Sequence, residues 1–424
     1  MKGDKMRNTD VFERMESNVR MYPRDVPMVL DTASGARIKA EDGREYIDFF
    51  AGSGALNYGH NDPRMRDALV QYLNRNGVTH GLDLHTTMKR RFLETIERKL
   101  FEPRGWDYKV QFTGPTGADA VEAALKLVRK ATGRSKVVSF YGAFHGMTLG
   151  ALSISGNIRK RGNSVLPDHV IFVPYEDSPH GAFDSMAYLE RMVNDQGSGT
   201  ELPAAVILES IQIQAGVYTA SNDFLQRLRK WTKDNGIALI LDEIQTGCGR
   251  SGDFFGFEQS GIKPDIITCA KSISGYGLPM AIVLIDPEWD AWEPGDHTGT
   301  FRGNQLAFLT AQIGLDYWSD PAFLSLIRTN ARTMENAVVG LGDKEAIVAT
   351  RCRGMIAAID FGRGNGGLAR AAQQRAISAG LVVERCGPNS EMLKLMPPIN
   401  IDNDDLVEGL NIISEAIDQT GLTT

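Results

Sequence analysis

Two residues of this 424-residue sequence, Lys271 and Asp242, lie where they could take part in catalysis. Lys271 lies in ITCAKSISGYGLP, among small residues and glycines that follow an apolar run. The apolar run IALILDE ends in Asp242 and Glu243, and the glycine-rich loop TGCGRSG follows it. Taken alone, Lys271 is most simply an exposed loop lysine, because most lysines are exposed. Ligands of open α/β sheets bind outside the carboxyl ends of strands, however, so a lysine and a carboxylate at successive strand ends would face one site.

Three further segments carry polar or aromatic groups that such a site would need. FTGPTGADAVEAALK begins a helix at Gly117 and Ala118, where free backbone N–H groups can bind a phosphate. FYGAFHGMT places Phe144 and His145 in a glycine-rich loop, where an aromatic ring can lie flat on a planar cofactor. HTGTFRGNQLAF offers the hydroxyl of Thr300. Each segment alone has an ordinary structural interpretation, as a turn or a partly buried aromatic.

Together these groups match the needs of one cofactor, pyridoxal 5'-phosphate. A lysine forms a Schiff base with its aldehyde and then moves protons, while a carboxylate keeps the pyridine nitrogen protonated. Backbone N–H groups and hydroxyls hold the phosphate, and an aromatic ring covers one face of the pyridine. The sequence therefore predicts a pyridoxal-phosphate enzyme in which Lys271 and Asp242 are catalytic.

Composition narrows the class of protein. The apolar fraction is 42%, the charged fraction is 23% and the formal net charge is −7, a balance typical of a globular protein. No basic stripe for nucleic acid and no bilayer-length apolar run is present, so we expect neither partner. The four cysteines are far apart and form no metal-binding pattern, which indicates free thiols, no metal and a cytoplasmic location: Cys248, Cys269, Cys352 and Cys386.

Alternating apolar runs and helical patterns predict an α/β fold with a mostly parallel sheet covered on both faces. GARIKAEDGREYIDFF alternates around a DG turn and predicts a hairpin that packs on a smaller C-terminal α+β domain. We predict an N-terminal segment over residues 1–60, a large cofactor-binding domain over 61–310 and a small domain over 311–424. The boundary lies in a connecting helix between Gly303 and Asp320.

The order of TGADAVEAALK, FHGMT, LDEIQTGCGRSG, DIITCAK and GTFRGN resembles the class III, ornithine/4-aminobutyrate-type, aminotransferases. The resemblance covers nearly the whole chain and implies a fold type I structure, with a seven-stranded sheet and a small domain built from both termini. It implies that Lys271 forms the Schiff base and that Asp242 pairs with the pyridine nitrogen. It also implies that Gln245 contacts the phenolic oxygen and that Phe144 stacks on the ring beside His145.

The resemblance also implies how the phosphate and the partners are bound. Gly117 and Ala118 would hold the phosphate, helped by Thr300 from the other subunit. A homodimer or a dimer of dimers follows, with active sites at the subunit interface. The substrates would be small amino acids and oxo acids, exchanged by a ping-pong mechanism.

A narrower resemblance is to the branch of the family that transfers an amino group between diaminobutyrate and 2-oxoglutarate, at the start of ectoine biosynthesis. It rests on segments such as LNYGHNDP, THGLDLHTTMKRRFLE and EPRGWDYKVQFTGPTG. One departure stands out: Gln214 occupies the position of a family glutamate that gates the substrate site, and Lys394 occupies the position of its arginine partner. Tyr22 and Arg24 are further candidates for contacting a substrate carboxylate.

Three interpretations stay open on the sequence. The enzyme is a diaminobutyrate–2-oxoglutarate aminotransferase, a diverged class III aminotransferase with another donor or acceptor, or a mutase, decarboxylase or cyclase on the same scaffold. The departure at Gln214 is compatible with the second and third.

Overall fold

The computed structural model of the chain describes residues 9–162, 164, 166–178 and 180–421. Residues 1–8, which begin the predicted N-terminal segment, and 422–424, which end the predicted small domain, lie outside the described residues.

A seven-stranded sheet forms the centre of the described chain. In spatial order its strands are Lys109–Phe112, Ile282–Ile285, Ile266–Cys269, Ala238–Asp242, Ala205–Leu208, Val137–Phe140 and Val170–Val173. Within this sheet, Ile282–Ile285 runs against its two neighbours and the other strands share one direction. The predicted mostly parallel seven-stranded sheet is confirmed.

The central strands are apolar throughout because helices cover both faces of the sheet. Ala238 and Ile240 pack in one cluster with the helix Gly117–Thr132. Leu239 and Leu241 point the other way, as alternation along a strand requires, and pack in another cluster with the helix Asn222–Asp234. These two clusters lie on opposite faces of the sheet and give the predicted α/β layering.

The longer helices extend over the following ranges: Pro63–Asn74, Thr87–Ile96, Gly117–Thr132, Ser185–Asn194, Asn222–Asp234, Gln305–Tyr317, Pro321–Leu341, Gly366–Ser378 and Asn403–Gly421. Shorter helical segments are Asp10–Met15, Tyr22–Asp25, Ala51–Gly54, Leu149–Ser153 and Ile158–Arg161, and a π-helical turn, Glu97–Phe101, extends one of the longer helices. In the described part of the chain, no helix combines the length and apolarity needed to cross a membrane.

The C-terminal part forms a second, antiparallel sheet in the order Ala349–Arg353, Ile356–Asp360, Met392–Leu395 and Glu384–Cys386. Helices Pro321–Leu341 and Gly366–Ser378 pack against this sheet, and the helix Asn403–Gly421 packs against both of them. This is the α+β region that the sequence predicts, and the helix Gln305–Tyr317 precedes it.

The N-terminal hairpin joins this C-terminal region. Strands Leu30–Ser34, Arg37–Ala40 and Glu45–Asp48 form a sheet that is completed by Leu381–Val382, which lies parallel to Glu45–Asp48. A separate two-stranded hairpin pairs Ile211–Gln212 with Tyr218–Thr219. The predicted packing of the hairpin on the small domain is thereby confirmed, whereas the residue boundaries of the three domains stay a prediction.

Candidate active site

Two adjacent strand ends place Asp242 and Lys271 at one cavity. Asp242 is the last residue of its strand, and the neighbouring parallel strand ends at Cys269, two residues before Lys271. Both side chains line a cavity of about 300 Å³. That volume lies at the lower end of the range typical of ligand pockets, about 300–1,000 Å³. The chain thus brings its two predicted catalytic residues together at the edge where α/β proteins bind ligands.

Lys271 has an unusual backbone conformation and a restrained side chain. Its φ of +52° lies in the left-handed region, which non-glycine residues adopt at an energetic cost that functional sites tolerate. Its Nζ donates a hydrogen bond to the carbonyl oxygen of Ser53 at 2.8 Å, and Gln245 Nε2 donates to the same oxygen at 2.9 Å. Ser53 was missed by the sequence reasoning, because it comes from a segment more than two hundred residues away.

The surroundings of Lys271 favour a neutral amine. Burial, reinforced by the nearby charge of Lys394, lowers the pKa of Lys271 to about 7. A large share of the amine is therefore unprotonated near neutral pH. An unprotonated lysine amine is the nucleophile that attacks carbonyl compounds.

Asp242 is buried and held by three groups. His145 Nδ1 lies 2.7 Å from its Oδ2, while the Ile244 N–H and the Thr268 hydroxyl donate to its Oδ1 at 3.1 and 3.2 Å. Burial lowers the pKa of His145, but its hydrogen bond to Asp242 and the charge of that carboxylate outweigh burial and raise the pKa overall. The raised pKa favours the protonated imidazole, whose Nδ1–H donates to the Asp242 side chain and orients it.

Glu209 is a second buried carboxylate at the cavity that the sequence reasoning did not select. It follows the strand Ala205–Leu208, and its Oε1 accepts a hydrogen bond from the Phe144 N–H at 2.8 Å. Burial raises the pKa of Glu209 to about 7. The signal was present in the sequence, because AAVILES is an apolar strand that ends in a carboxylate, just as IALILDE does.

The helix that begins at Gly117 supplies backbone donors to the cavity. Thr116 caps it, and a reciprocal pair of hydrogen bonds with Asp119 fixes this first turn. Gly117 and Ala118 line the cavity, and the first N–H groups of a helix have no partner within the helix. A Cβ on Gly117 would lie 2.9 Å from the Ile244 side chain, so the glycine lets the loop after Asp242 approach the helix start. This edge is suited to an anion.

Phe144 lines the same cavity, and a lysine covers its ring. Lys160 Nζ lies 4.0 Å from the ring centroid, a cation–π distance. Burial lowers the pKa of Lys160, and the charge of Lys394 acts in the same direction. Lys160 is another residue that the sequence reasoning missed, since nothing in GNIRKRGNS marks it.

The remaining predicted residues lie outside the wall of this cavity. Thr300 is exposed to solvent in the single chain. Tyr22 and Arg24 line a different cavity of about 630 Å³, and the Arg24 side chain donates to backbone carbonyls of its own segment. Gln214 is partly buried, and Lys394 is fully buried.

Comparison with known proteins decides the family. The model of the aminotransferase class-III family matches residues 21–417. The chain belongs to the class III aminotransferases. It is 48% identical over 412 residues to the diaminobutyrate–2-oxoglutarate transaminase of Nocardia farcinica strain IFM 10152, covering 97% of this chain and 94% of that one. It is 45% identical over 410 residues to the uncharacterized aminotransferase y4qG of Sinorhizobium fredii strain NBRC 101917 / NGR234, covering 96% and 91%.

The solved structures support the same fold. The ornithine aminotransferase from Toxoplasma gondii ME49 superposes with a TM-score of 0.83 at 23% identity, covering 98% of this chain and 94% of that one. The predicted fold type I architecture is confirmed.

As a class III aminotransferase, the enzyme uses pyridoxal phosphate, and its cavity fits that cofactor. The cavity holds an amine of lowered pKa in Lys271 and a buried carboxylate in Asp242. An aromatic ring and the free N–H groups of a helix start line the same space. These are the groups that an aldehyde, a ring nitrogen, a planar ring and a phosphate require.

Proposed function

We propose that this aminotransferase converts L-2,4-diaminobutyrate and 2-oxoglutarate into L-aspartate 4-semialdehyde and L-glutamate, and the reverse. The observation that carries this proposal is the 48% identity to a diaminobutyrate–2-oxoglutarate transaminase over 97% of the chain. The class III family model, which matches residues 21–417, includes every residue of the candidate site.

In the proposed reaction, residues of the cavity bind the cofactor and move a proton. Bound pyridoxal phosphate supplies an electron sink for the charge that develops on the substrate carbon. Lys271 binds the cofactor and then carries a proton between substrate atoms, which its pKa of about 7 permits at neutral pH. Asp242, oriented by His145, would hold the ring nitrogen, and Phe144 would lie against the ring.

The other contacts position the cofactor. Gly117 and Ala118 would hold the phosphate through backbone N–H groups, and Gln245 would donate to the phenolic oxygen. The Ser53 carbonyl now accepts from both Gln245 and Lys271, so cofactor binding would exchange these contacts for contacts with the cofactor. Lys271 would serve both half-reactions, and the first product would leave before the second substrate binds while the enzyme retains the amino group, which is the ping-pong pattern.

The proposal includes a homodimer in which Thr300 reaches the partner's phosphate site. Thr300 precedes Phe301, which is 70% exposed, and the His80 ring packs edge-on against Phe301 at 5.6 Å. Leu82 and Leu84 are also exposed in the loop that follows His80. An exposed apolar cluster of this kind marks an interaction surface. We place the enzyme in the cytoplasm, in keeping with four free cysteines, and at the first step of ectoine biosynthesis.

A second candidate is a class III aminotransferase with another donor or acceptor. Two observations favour it: Gln214 is uncharged, and an uncharacterized aminotransferase is nearly as similar to the chain. A mutase, decarboxylase or cyclase would differ in needing no oxo-acid acceptor.

Product analysis separates these functions. With diaminobutyrate and 2-oxoglutarate, the proposal predicts one glutamate formed for each diaminobutyrate consumed, and no sustained turnover when 2-oxoglutarate is left out. Turnover without any acceptor would exclude transamination, and turnover only with other donors would support the second candidate.

A further inference from the structure

A buried ion pair lies beside the candidate active site. Lys394 and Glu384 face each other on neighbouring antiparallel strands of the small domain. Lys394 Nζ lies 2.7 Å from Glu384 Oε2, and the two side chains are 0% and 10% exposed. Neither atom makes a well-directed hydrogen bond, either with the other or with another residue in the described ranges. The pair is therefore held by charge alone.

Such a pair is poorly stabilised for its depth of burial. Removing two charges from water costs more than their attraction returns unless further hydrogen bonds satisfy them. An ammonium group carries three donors, so Lys394 keeps donors for an additional acceptor. A carboxylate entering the site would be such an acceptor and would form charge-assisted hydrogen bonds.

The pair acts on the reacting lysine. After burial, the charge of Lys394 is the largest influence that lowers the pKa of Lys271, and the charge of Glu384 raises it. The same two charges act with opposite signs on the pKa of Lys160, after burial. Geometry places the pair close to this lysine: Gly52 lines the same cavity as Glu384, and the carbonyl of the next residue, Ser53, accepts a hydrogen bond from Lys271 Nζ at 2.8 Å.

Glu384 also borders space into which it can withdraw. It lines the cavity of about 630 Å³ together with Tyr22 and Arg385. Burial raises the pKa of the Tyr22 phenol, and the nearby Glu384 charge raises it further. The phenol is a ready donor for a carboxylate that leaves Lys394. Gln214, by contrast, carries no charge that could neutralise Lys394.

We propose that Glu384 is the displaceable counter-ion of Lys394 and thereby selects which end of an amino acid reacts. A carboxylate on the reacting carbon, as in glutamate or 2-oxoglutarate, displaces Glu384 and binds Lys394. A substrate whose reacting carbon bears no carboxylate, as at the distal amine of a diamino acid, leaves the pair closed. The part that concerns the diamino acid rests on the proposed function.

Binding of a non-reacting dicarboxylate to the pyridoxal-phosphate-loaded enzyme tests the ion pair directly. Isothermal titration with glutarate should give about tenfold tighter binding to Glu384→Gln than to the wild type, because no carboxylate competes for Lys394. Lys394→Gln should bind glutarate about tenfold more weakly. Glu391→Gln is the matched control: it removes another buried carboxylate, next to a neighbouring strand, and should leave glutarate affinity unchanged. Affinity of Glu384→Gln equal to or weaker than that of the wild type overturns the proposal.

A second variant and a kinetic ratio complete the test. Glu384→Asp keeps the charge but shortens its reach, so it should tighten glutarate binding by a smaller factor than Glu384→Gln. Unchanged or weaker glutarate binding by Glu384→Asp contradicts the proposal. This second variant decides the question even if Glu384→Gln does not fold. In single turnovers, Glu384→Gln should shift the ratio of kcat/KM for glutamate to that for diaminobutyrate about tenfold towards glutamate. An unshifted ratio counts against the proposal. If the wild type does not react with diaminobutyrate, the proposed function fails, while glutarate binding still decides the role of Glu384.

Discussion

At the scale of single residues, the candidate site depends on how this fold treats one lysine. Lys271 is held in a left-handed backbone conformation, restrained by the Ser53 carbonyl and given a pKa of about 7. An exposed loop lysine would have none of these features. They are the physical reason to reject the ordinary interpretation of Lys271 that its local sequence favours.

Lys271→Ala should lower kcat for transamination by at least about a thousandfold, because it removes both the cofactor attachment and the proton carrier. Steady-state assays with excess pyridoxal phosphate measure this. Lys263→Ala is the control: Lys263 pairs with Asp107 and Asp286, each at 2.8 Å, at the protein surface. Full turnover of Lys271→Ala would contradict the assignment.

The pKa of Lys271 predicts how cofactor uptake depends on pH. Only the unprotonated amine attacks the aldehyde, so the uptake rate of cofactor-depleted enzyme should rise with pH through a midpoint of about 7 and then level off. Lys394→Met removes a positive charge that lowers the pKa of Lys271, so its midpoint should move to higher pH. Stopped-flow absorbance of the cofactor measures both midpoints. A rate that still rises steadily to pH 10 in the wild type would show an ordinary lysine.

The sequence reveals some of these residues and conceals others for a physical reason. Asp242 and Lys271 follow apolar strands, and the order of strands in the sheet puts neighbouring strand ends together. Ser53 and Glu384 belong to segments far away in the chain, so only tertiary packing brings them to Lys271. Gln214 was singled out because its residue type departs from the family pattern, whereas the charge beside Lys394 comes from Glu384.

At the scale of elements, the cavity depends on close approaches that only small residues permit. The loop FHGMT packs on the start of the helix Gly117–Thr132, and Gly146 has a φ of +135° there. A Cβ on Gly146 would lie 2.8 Å from the Ala118 Cβ. The helix start and the aromatic loop can therefore share one small cavity.

Gly146→Ala should separate these two elements and weaken pyridoxal phosphate binding about tenfold, because the new Cβ would press on Ala118 and a non-glycine residue in this sparsely populated φ region costs about 1–3 kcal/mol. Equilibrium titration of the cofactor measures the affinity. Gly340→Ala is the control, because Gly340 lies in the helix Pro321–Leu341 with open space around it. That change should raise the free energy of unfolding by about 0.5–1 kcal/mol. Unchanged cofactor affinity of Gly146→Ala would mean that the contact does not shape the site.

The helices and strands could largely be predicted because their patterns are local. Apolar runs gave the buried strands, and the helical spacing in FLQRLRKWTKDNG is that of the helix Asn222–Asp234. The pairing of Leu381–Val382 with the N-terminal hairpin is non-local. The packing of the hairpin on the small domain was predicted, but no periodicity indicated the strand that joins it.

At the scale of the whole molecule, the glycine-rich loop TGCGRSG, which follows Asp242, connects the large domain to the small one. The fully buried Arg250 donates through Nη1 to the carbonyls of Met355 and Pro397 and through Nη2 to Asn57 Oδ1. It thus links the loop after Asp242 to both terminal regions. The same regions carry Ser53 and the ion pair of Lys394, so the candidate site is a joint product of all parts of the chain.

Assembly is the other prediction at this scale. Phe301→Asp should convert the proposed homodimer into monomers, because it places a charge within the exposed apolar cluster beside Thr300. Sedimentation velocity measures the change. Val339→Asp alters an equally exposed apolar residue on the helix Pro321–Leu341 and should leave the dimer intact. A Phe301→Asp protein that stays dimeric would place the interface elsewhere.

The most direct measurement of the central claim is a single-turnover absorbance experiment on the wild-type enzyme with a panel of amino donors. Diaminobutyrate should convert the bound cofactor from its aldehyde-derived to its amine-derived absorbance, and 2-oxoglutarate should then restore the starting spectrum. Glutamate should produce the same conversion, and aspartate 4-semialdehyde should reverse it. A spectrum that does not respond to diaminobutyrate and glutamate but responds to another donor would contradict the proposed function.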